Sequence, residues 1–269
     1  MRVLIIGDII GRPGRSLIAR NLPKLQQEYE IDFTIANGEN VAGGIGATRK
    51  TVEKLFSYGI DAITSGNHIW KYKEIETYIE EQPNLFRPIN YPPGAPGRGA
   101  AILYVHGTIP IALINVMGRV FMRPLDCPFR TVDAVLKKLK QKTKIVIVDF
   151  HAEATSEKNA FGFHFDGQIS AVIGTHTHVQ TADERILPKG TAYITDVGMV
   201  GGRNSIIGSN AKNVIAGMIY GLPRKYEPEK NDVMINAVAV DIDERTGSAR
   251  SIERISKSYP DPNNEKRDY

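Results

Sequence analysis

The sequence predicts an α/β protein built on mixed β-structure. Apolar runs of strand length alternate with helix-period segments through the first half, as parallel βα units require. Late in the chain, strand-like segments pair off around turn residues in the manner of antiparallel hairpins. A third observation concerns where the strands stop. Five short segments, Gly7-Asp8, Asn37-Gly38-Glu39-Asn40, Gly66-Asn67-His68, His151 and Gly174-Thr175-His176-Thr177-His178, each end an expected strand on a residue able to bind a metal.

The elements follow in order. Arg2 to Ile6 is an almost unbroken apolar run, as expected of a strand buried on both faces. Gly11-Arg12-Pro13-Gly14 reads as a turn, and Arg15 to Glu28 carries helical spacing at Leu17, Ile18, Leu22 and Leu25. Asp32 to Ala36 is the second strand, and Thr48 is placed to cap a helix running through Val52, Leu55 and Phe56. Asp61 to Thr64 is a third, short strand, with a helix around residues 72–81. Pro88 to Gly99 is rich in Pro and Gly and reads as a surface loop. Strands are expected near 101–105 and 109–115, a helix over 131–141, and a buried strand from Lys144 to Val148 that leads to His151. Ala171-Val172-Ile173 leads into the histidine pair. Residues 185–187 and 192–194 flank the turn at Pro188-Lys189-Gly190, and residues 233–243 and 248–255 flank Arg245-Thr246-Gly247, each pair reading as a hairpin.

Composition fits this reading. At 269 residues, 42% hydrophobic and 24% charged, the chain matches an ordinary soluble globular protein. A single domain over residues 1–269 is expected, with a flexible polar tail over 258–269. The one cysteine, Cys127, excludes an intramolecular disulfide and reads as a packed or incidental thiol. The N-terminus enters a strand at once, without the h-region of a signal peptide, and no stretch approaches the ~20 apolar residues that span a bilayer. The expectation is a soluble, cytoplasmic protein. A net charge of +4 without a clustered basic stripe gives no strong sign of nucleic-acid binding.

Four of six histidines, His68, His151, His176 and His178, fall just beyond apolar strand runs, whereas His106 and His164 lack that context and read as structural. In extended geometry His176 and His178 point to one side. Asp8 and Glu39 supply the carboxylates that two neighbouring cations need, and Asn40 and Asn67 add amide oxygens that suit Mn²⁺ or iron. Gly43-Gly44-Ile45-Gly46 reads as a flexible loop that lets backbone approach metals or substrate. It lacks the Gly-Lys-Ser/Thr of a P-loop, and Gly7 to Gly14 is not a dinucleotide fingerprint.

The motif order resembles the calcineurin-like metallophosphoesterases, whose signature runs Asp-x-His, Gly-Asp-x-x-Asp, Gly-Asn-His-Asp/Glu, His, Gly-His-x-His. Here Ile10 stands where the first histidine belongs, Glu39 replaces the bridging aspartate, Ile69 replaces the acidic residue, and Thr175 opens the last motif. Those departures are similar to the YmdB-like branch, bacterial phosphodiesterases associated with 2′,3′-cyclic nucleotides. The match runs through Gly7 to Arg15, Asn37 to Asn40, His151 to Thr155 and Gly174 to Asp183.

The resemblance implies a sandwich of two mixed β-sheets flanked by helices. It also implies two metal ions, iron or manganese with zinc as an alternative, bridged by Glu39. Asp8, Asn40 and His178 would complete one site, and Asn67, His151 and His176 the other. In such centres two cations about 3.5–4 Å apart lower the pKa of a bridging water and clamp the attacking and leaving oxygens. His68 would act as the acid toward the leaving group, a task that suits imidazole. Arg12 and Arg15, at the start of the first helix, are candidates for holding a substrate phosphate or base.

The expected activity is hydrolysis of a small phosphodiester such as a 2′,3′-cyclic nucleotide. The alternatives are a phosphomonoesterase or nucleotidase of the same superfamily, or a regulatory protein with incidental turnover. An amidohydrolase barrel is disfavoured, because its His-x-His pair follows the first strand and eight βα units are absent here. A homo-oligomer is expected on general grounds.

Overall fold

The computed structural model describes residues 1–259. Its first sheet contains β1 (Arg2–Ile6), β2 (Asp8–Ile9), β3 (Phe33–Asn37), β4 (Ala62–Thr64), β11 (Met199–Gly202), β12 (Val233–Ile242) and β13 (Ala249–Tyr259). The strands run in the order β2-β11-β12-β1-β3-β4, with β13 paired to β12. The second sheet contains β5 (Ala100–Val105), β6 (Ile109–Met117), β7 (Val146–His151), β8 (Ala171–Thr175), β9 (Arg185–Ile186) and β10 (Ala192–Ile194), in the order β5-β6-β7-β8-β10-β9. Both sheets are mixed. β1, β3 and β4 are parallel, as are β6, β7, β8 and β10, while β12 pairs antiparallel with β1, β11 and β13.

The period-2 alternation of β1 shows how the layers form. Val3 and Ile5 join Leu113, Ile147, Ile173 and Val240 in the cluster between the sheets. Leu4 and Ile6 face the other way, against Leu17, Ile18 and Leu22 of α1 (Gly11–Glu28) and Val52 and Leu55 of α2 (Arg49–Ser57). On the far side of the second sheet, Val146, Val148 and Phe150 pack under α4 (Pro128–Leu139) and α5 (Thr155–His164). The remaining helices are α3 (Glu74–Glu81) and α6 (Ala211–Tyr220). Among the described residues no helix is long and apolar enough to cross a membrane.

Several elements differ from the sequence reading. α1 starts at Gly11, not Arg15, because Pro13 sits in the first turn, where its missing N–H costs nothing. Residues 155–164 form a helix whose weak amphipathicity hid it, since Glu157 and Lys158 point inward with Phe161. Residues 199–202 form a strand despite two glycines, which have low strand propensity. The last strand runs to Tyr259, so residues 258 and 259 of the expected tail are paired in the sheet, and residues 260–269 lie outside the described residues. The glycine loop at 43–46 holds left-handed backbone at all three glycines and packs against Lys71, Tyr72 and Pro228.

Sheet closeness is written into Gly174. A Cβ there would overlap the carbonyl oxygen of Thr195, where β8 passes the segment after β10. Gly174→Ala is expected to cost about 3 kcal/mol or more, the upper range for overpacking, and to lower Tm by on the order of 10 °C. An unchanged Tm by calorimetry would refute this account of the packing.

Candidate metal centre

The site lies at one end of both sheets, where consecutive strands stop. β1 leads through Gly7 to Asp8, β3 to Glu39 and Asn40, and β4 to Asn67 and His68. From the second sheet, β7 ends on His151 and β8 leads to His176 and His178. All seven expected metal-ligand residues and His68 therefore meet on one edge.

Two donor groups form there. Glu39, His151 and His176 offer donor atoms within 4.8 Å of one another, as do Asp8, Glu39 and His178, so Glu39 belongs to both. Asn67 joins the first group, its Oδ1 lying 3.0 Å from His151 Nε2. Asn40 joins the second, its amide lying 2.9 Å from Glu39 Oε1 and 3.3 Å from His178 Nε2.

The protonation pattern can be worked out from the neighbours. His151 Nδ1 is 2.9 Å from Thr175 Oγ1, and Thr175 donates its one hydrogen to Asp149 Oδ1 at 2.6 Å. Thr175 therefore accepts from His151 Nδ1–H, which leaves Nε2 facing Glu39 Oε2 at 3.2 Å. His176 presents Nε2 to Glu153 at 3.1 Å, so its Nδ1 lone pair faces His151 Nε2, also at 3.1 Å. In the second group His178 Nδ1–H donates to the Ile207 carbonyl at 2.8 Å and leaves Nε2 toward Asp8 Oδ1 at 3.7 Å. Carboxylate, amide and imidazole groups thus converge, with His151 Nε2, His176 Nδ1 and His178 Nε2 the ring atoms turned toward the carboxylates. Asp8 Oδ1 is buried without a hydrogen-bond partner, a state that is costly unless a cation satisfies it.

The charges are tightly coupled: burial would lower His151, but Glu39 outweighs it and raises the ring. Burial alone would raise the Glu39 carboxyl, but His151 and His68 outweigh it and hold the group well below the usual carboxylate range. Burial would lower His178, yet Asp8 drives it up to about 9. Burial and the neighbouring His151 push His176 down to about 3, so its ring is neutral. Burial raises Asp149 to about 6.

His176 and His178 are not extended, as their spacing suggested. Both hold left-handed backbone, with φ of 101° and 66°, so each ring reaches a different donor group. This strained turn rests on a buried ion pair. Lys158 Nζ donates to Asp196 Oδ2 at 2.8 Å and to the Thr175 carbonyl at 2.8 Å. Asp196 also accepts from the N–H groups of Thr177 and Gly198. Gly66 is equally constrained, since a Cβ there would fill the space beside His151 and Glu39.

His68 donates its backbone N–H to Glu39 Oε2 at 3.2 Å, and its Nδ1 lies 2.9 Å from Asn40 Oδ1. Its ring lines a cleft of about 390 Å³ with Asn67, His176, Phe121, Met122 and Arg123. Arg12 is exposed on α1, and the Arg15 guanidinium donates to the Val41 carbonyl, tying α1 to the segment after Asn40. His106 and His164 lie away from the site, against Asp32 and Asp133.

A match to the YmdB-like protein family extends over residues 4–255. The chain belongs to the YmdB-like family. A curated Bacillus subtilis (strain 168) relative, a 2′,3′-cyclic-nucleotide 2′-phosphodiesterase, is 48% identical over 255 residues, covering 95% of this chain and 96% of that one. A solved Mycoplasma pneumoniae structure, described as a novel phosphatase, superposes with a TM-score of 0.92 at 36% identity, covering 100% of this chain and 97% of that one. A Thermus thermophilus structure, described as a hypothetical protein, superposes with a TM-score of 0.90 at 42% identity, covering 97% and 100%. The fold of this YmdB-like chain is thus the calcineurin-like sandwich of two mixed sheets that its motifs implied.

Sequence reasoning missed Asp149, Thr175, Glu153 and the Lys158–Asp196 pair as supports of the histidines. Thr175 and Asp149 sit two residues or fewer from histidines the motifs pick out, a signal that could have found them; Lys158, in a polar-looking segment, offered none. Lys158→Met leaves Asp196 buried without its cation, which is expected to cost about 3–5 kcal/mol. Urea unfolding measures this, and a loss below about 1 kcal/mol would mean the pair does not brace the turn.

Proposed function

We propose that this chain is a phosphodiesterase that uses two metal ions to hydrolyse small diesters, 2′,3′-cyclic nucleotides foremost. The observation that carries the reading is the convergence of two donor groups on one buried carboxylate, Glu39, beside a cleft lined by one further histidine. The activity named for the Bacillus relative supports it.

In this reading Glu39, Asp8, Asn40 and His178 would hold one ion, and Glu39, Asn67, His151 and His176 the other. The oxygen and imidazole donor set suits manganese or iron, with zinc as a further candidate. When bound, two such cations neutralise the phosphoryl oxygens and lower the pKa of water. The chain's own groups do the rest. Thr175 and Asp149 fix the His151 tautomer, Glu153 fixes that of His176, and Ile207 fixes that of His178. As water adds to phosphorus and the bond to the sugar oxygen breaks, His68 gives that oxygen its proton, the proton lost by the water passes to solvent, and solvent recharges His68. Arg12 and Arg15 remain candidates for contacts to the remote part of the substrate, Arg12 the better placed because its guanidinium is exposed. We place the enzyme in the cytoplasm, acting on a small nucleotide.

A phosphomonoesterase is the second reading, favoured by the description of the Mycoplasma structure as a phosphatase. Hydrolysis of bis-p-nitrophenyl phosphate against p-nitrophenyl phosphate, with Mn²⁺ supplied, separates the two. The diester is expected to be preferred, and a preference for the monoester would establish the second reading. Glu39→Gln is expected to lower kcat/KM by about 10³-fold or more, since several kcal/mol of charge stabilisation depend on the ions it would hold. His68→Gln is expected to cost about 10²–10⁴-fold in kcat with metal content retained. Full activity in either variant would remove that residue from its assigned role.

Thr175→Val deletes the acceptor that orients His151. Metal affinity, measured by competition with a chelator, is expected to fall about 10–100-fold. Wild-type affinity in that variant would show that the His151 tautomer is set in another way.

A further inference from the structure

The turn after β6 displays an aromatic ring that does no work in the core. Phe121 is 89% exposed, more than any other large hydrophobic residue described. Its backbone is left-handed, with φ of 61°, a conformation bulky residues seldom adopt and one that gathers at functional sites.

The turn is firmly anchored. The Gly118 N–H donates to the His151 carbonyl at 2.9 Å, which ties the turn to a residue of the candidate metal centre. Glu157 of α5, itself buried, accepts from the Arg119 N–H with both oxygens and from the Val120 N–H at 3.1 Å. The Met122 N–H closes the turn onto the Arg119 carbonyl at 3.2 Å. Gly118 leaves no room for slack, because a Cβ would overlap Ala152 and Glu157. Phe121 is therefore presented at a fixed place.

That place is a wall of the site. Phe121, Met122 and Arg123 line the same cleft as Asn67, His68 and His176. A flat apolar ring, a thioether and a guanidinium thus share one cleft with the groups assigned to phosphorus. Nothing in a bare phosphodiester would use such a ring, whereas every nucleobase has a π-face that stacks on one. A protein-docking patch would need a contiguous apolar area of several hundred Å², and the only large hydrophobic neighbour exposed on this turn is Val120.

We infer that Phe121 is the platform on which the nucleobase of the substrate stacks, making it the residue that selects nucleotide diesters over diesters without a base. The inference rests on the phosphodiesterase reading above.

The test compares kcat/KM for adenosine 2′,3′-cyclic phosphate with that for methyl riboside 2′,3′-cyclic phosphate, which lacks the base. Wild type, Phe121→Ala and Phe121→Trp are assayed with Mn²⁺ after thermal unfolding has established that each is folded. Wild type is expected to prefer the nucleotide. Phe121→Ala is expected to lower that preference by about 5- to 150-fold, the usual worth of one stacked base, and Phe121→Trp to retain it. An unchanged preference in Phe121→Ala, an equal loss on both substrates, or no preference in wild type would overturn the inference while leaving the phosphodiesterase standing. Failure of wild type to hydrolyse either substrate, or bis-p-nitrophenyl phosphate, would overturn both together.

Discussion

Glu39 carries a carboxylate with no accessible surface, and the site is arranged around that fact. A buried charge of this kind is tolerated only when paired and hydrogen-bonded. Its oxygens face His151 Nε2 at 3.2 Å and His68 Nδ1 at 3.1 Å, and they accept from the His68 backbone and the Asn40 amide. Asn37 Oδ1 accepts from the Glu39 N–H at 3.0 Å and so fixes the turn that aims the carboxylate. Histidines can supply the needed positive charge as imidazolium, but then they repel one another: burial pushes His176 down and the charge of His151 pushes it further. Cations held among these donors would relieve both problems at once.

The two sheets contribute different chemistry to this centre. The first brings Asp8, Glu39, Asn40 and Asn67, all oxygen donors; the second brings His151, His176 and His178. Their relative position therefore decides the geometry, and apolar packing between sheets is not directional enough to set it. Polar links close to the site do so. Asn37 of β3 donates to Asp149 of β7 at 3.1 Å, and Ser65 exchanges two hydrogen bonds of 3.0 Å with Asn115 of β6. All four residues are buried. Fully satisfied buried networks are specific because any slip leaves a group unpaired, so these pairs lock the sheets in the one register in which the carboxylates meet the histidines.

Much of this was legible in the sequence, for a physical reason. Strand ends in α/β sheets deliver side chains to a shared edge, so a polar residue just past an apolar run carries positional information that the same residue elsewhere lacks. Asp8, Glu39, Asn67 and His151 were readable in that way. The hairpin from β12 to β13 was readable from its alternation and its Arg245-Thr246-Gly247 turn. The second layer was not. Lys158 and Glu157 are charged residues that look like surface, and only the closure of α5 over the second sheet turns them inward. Phe121 was invisible for the opposite reason, since an apolar residue in sequence is assigned to the core by default and its exposure appears only in three dimensions.

The distribution of strain follows the same division. His176 and His178 hold left-handed backbone, which bulky residues keep only when surrounding structure over-determines it. The surrounding structure here is the Lys158–Asp196 pair beneath the turn and the Ile207 carbonyl above it. Asp196 grips the turn by the Thr177 N–H, while Lys158 holds the Thr175 carbonyl just before it. Thr175 in turn bonds His151 through its side chain. One buried ion pair therefore reaches both donor groups, through backbone to His176 and His178 and through a hydroxyl to His151. A hydrophobic pair of similar volume could fill the same space with comparable stability, but it would offer no hydrogen bonds to bend a strand's end into a turn with two left-handed residues. The polar pair supplies those bonds, Lys158 to the Thr175 carbonyl and Asp196 to the Thr177 N–H.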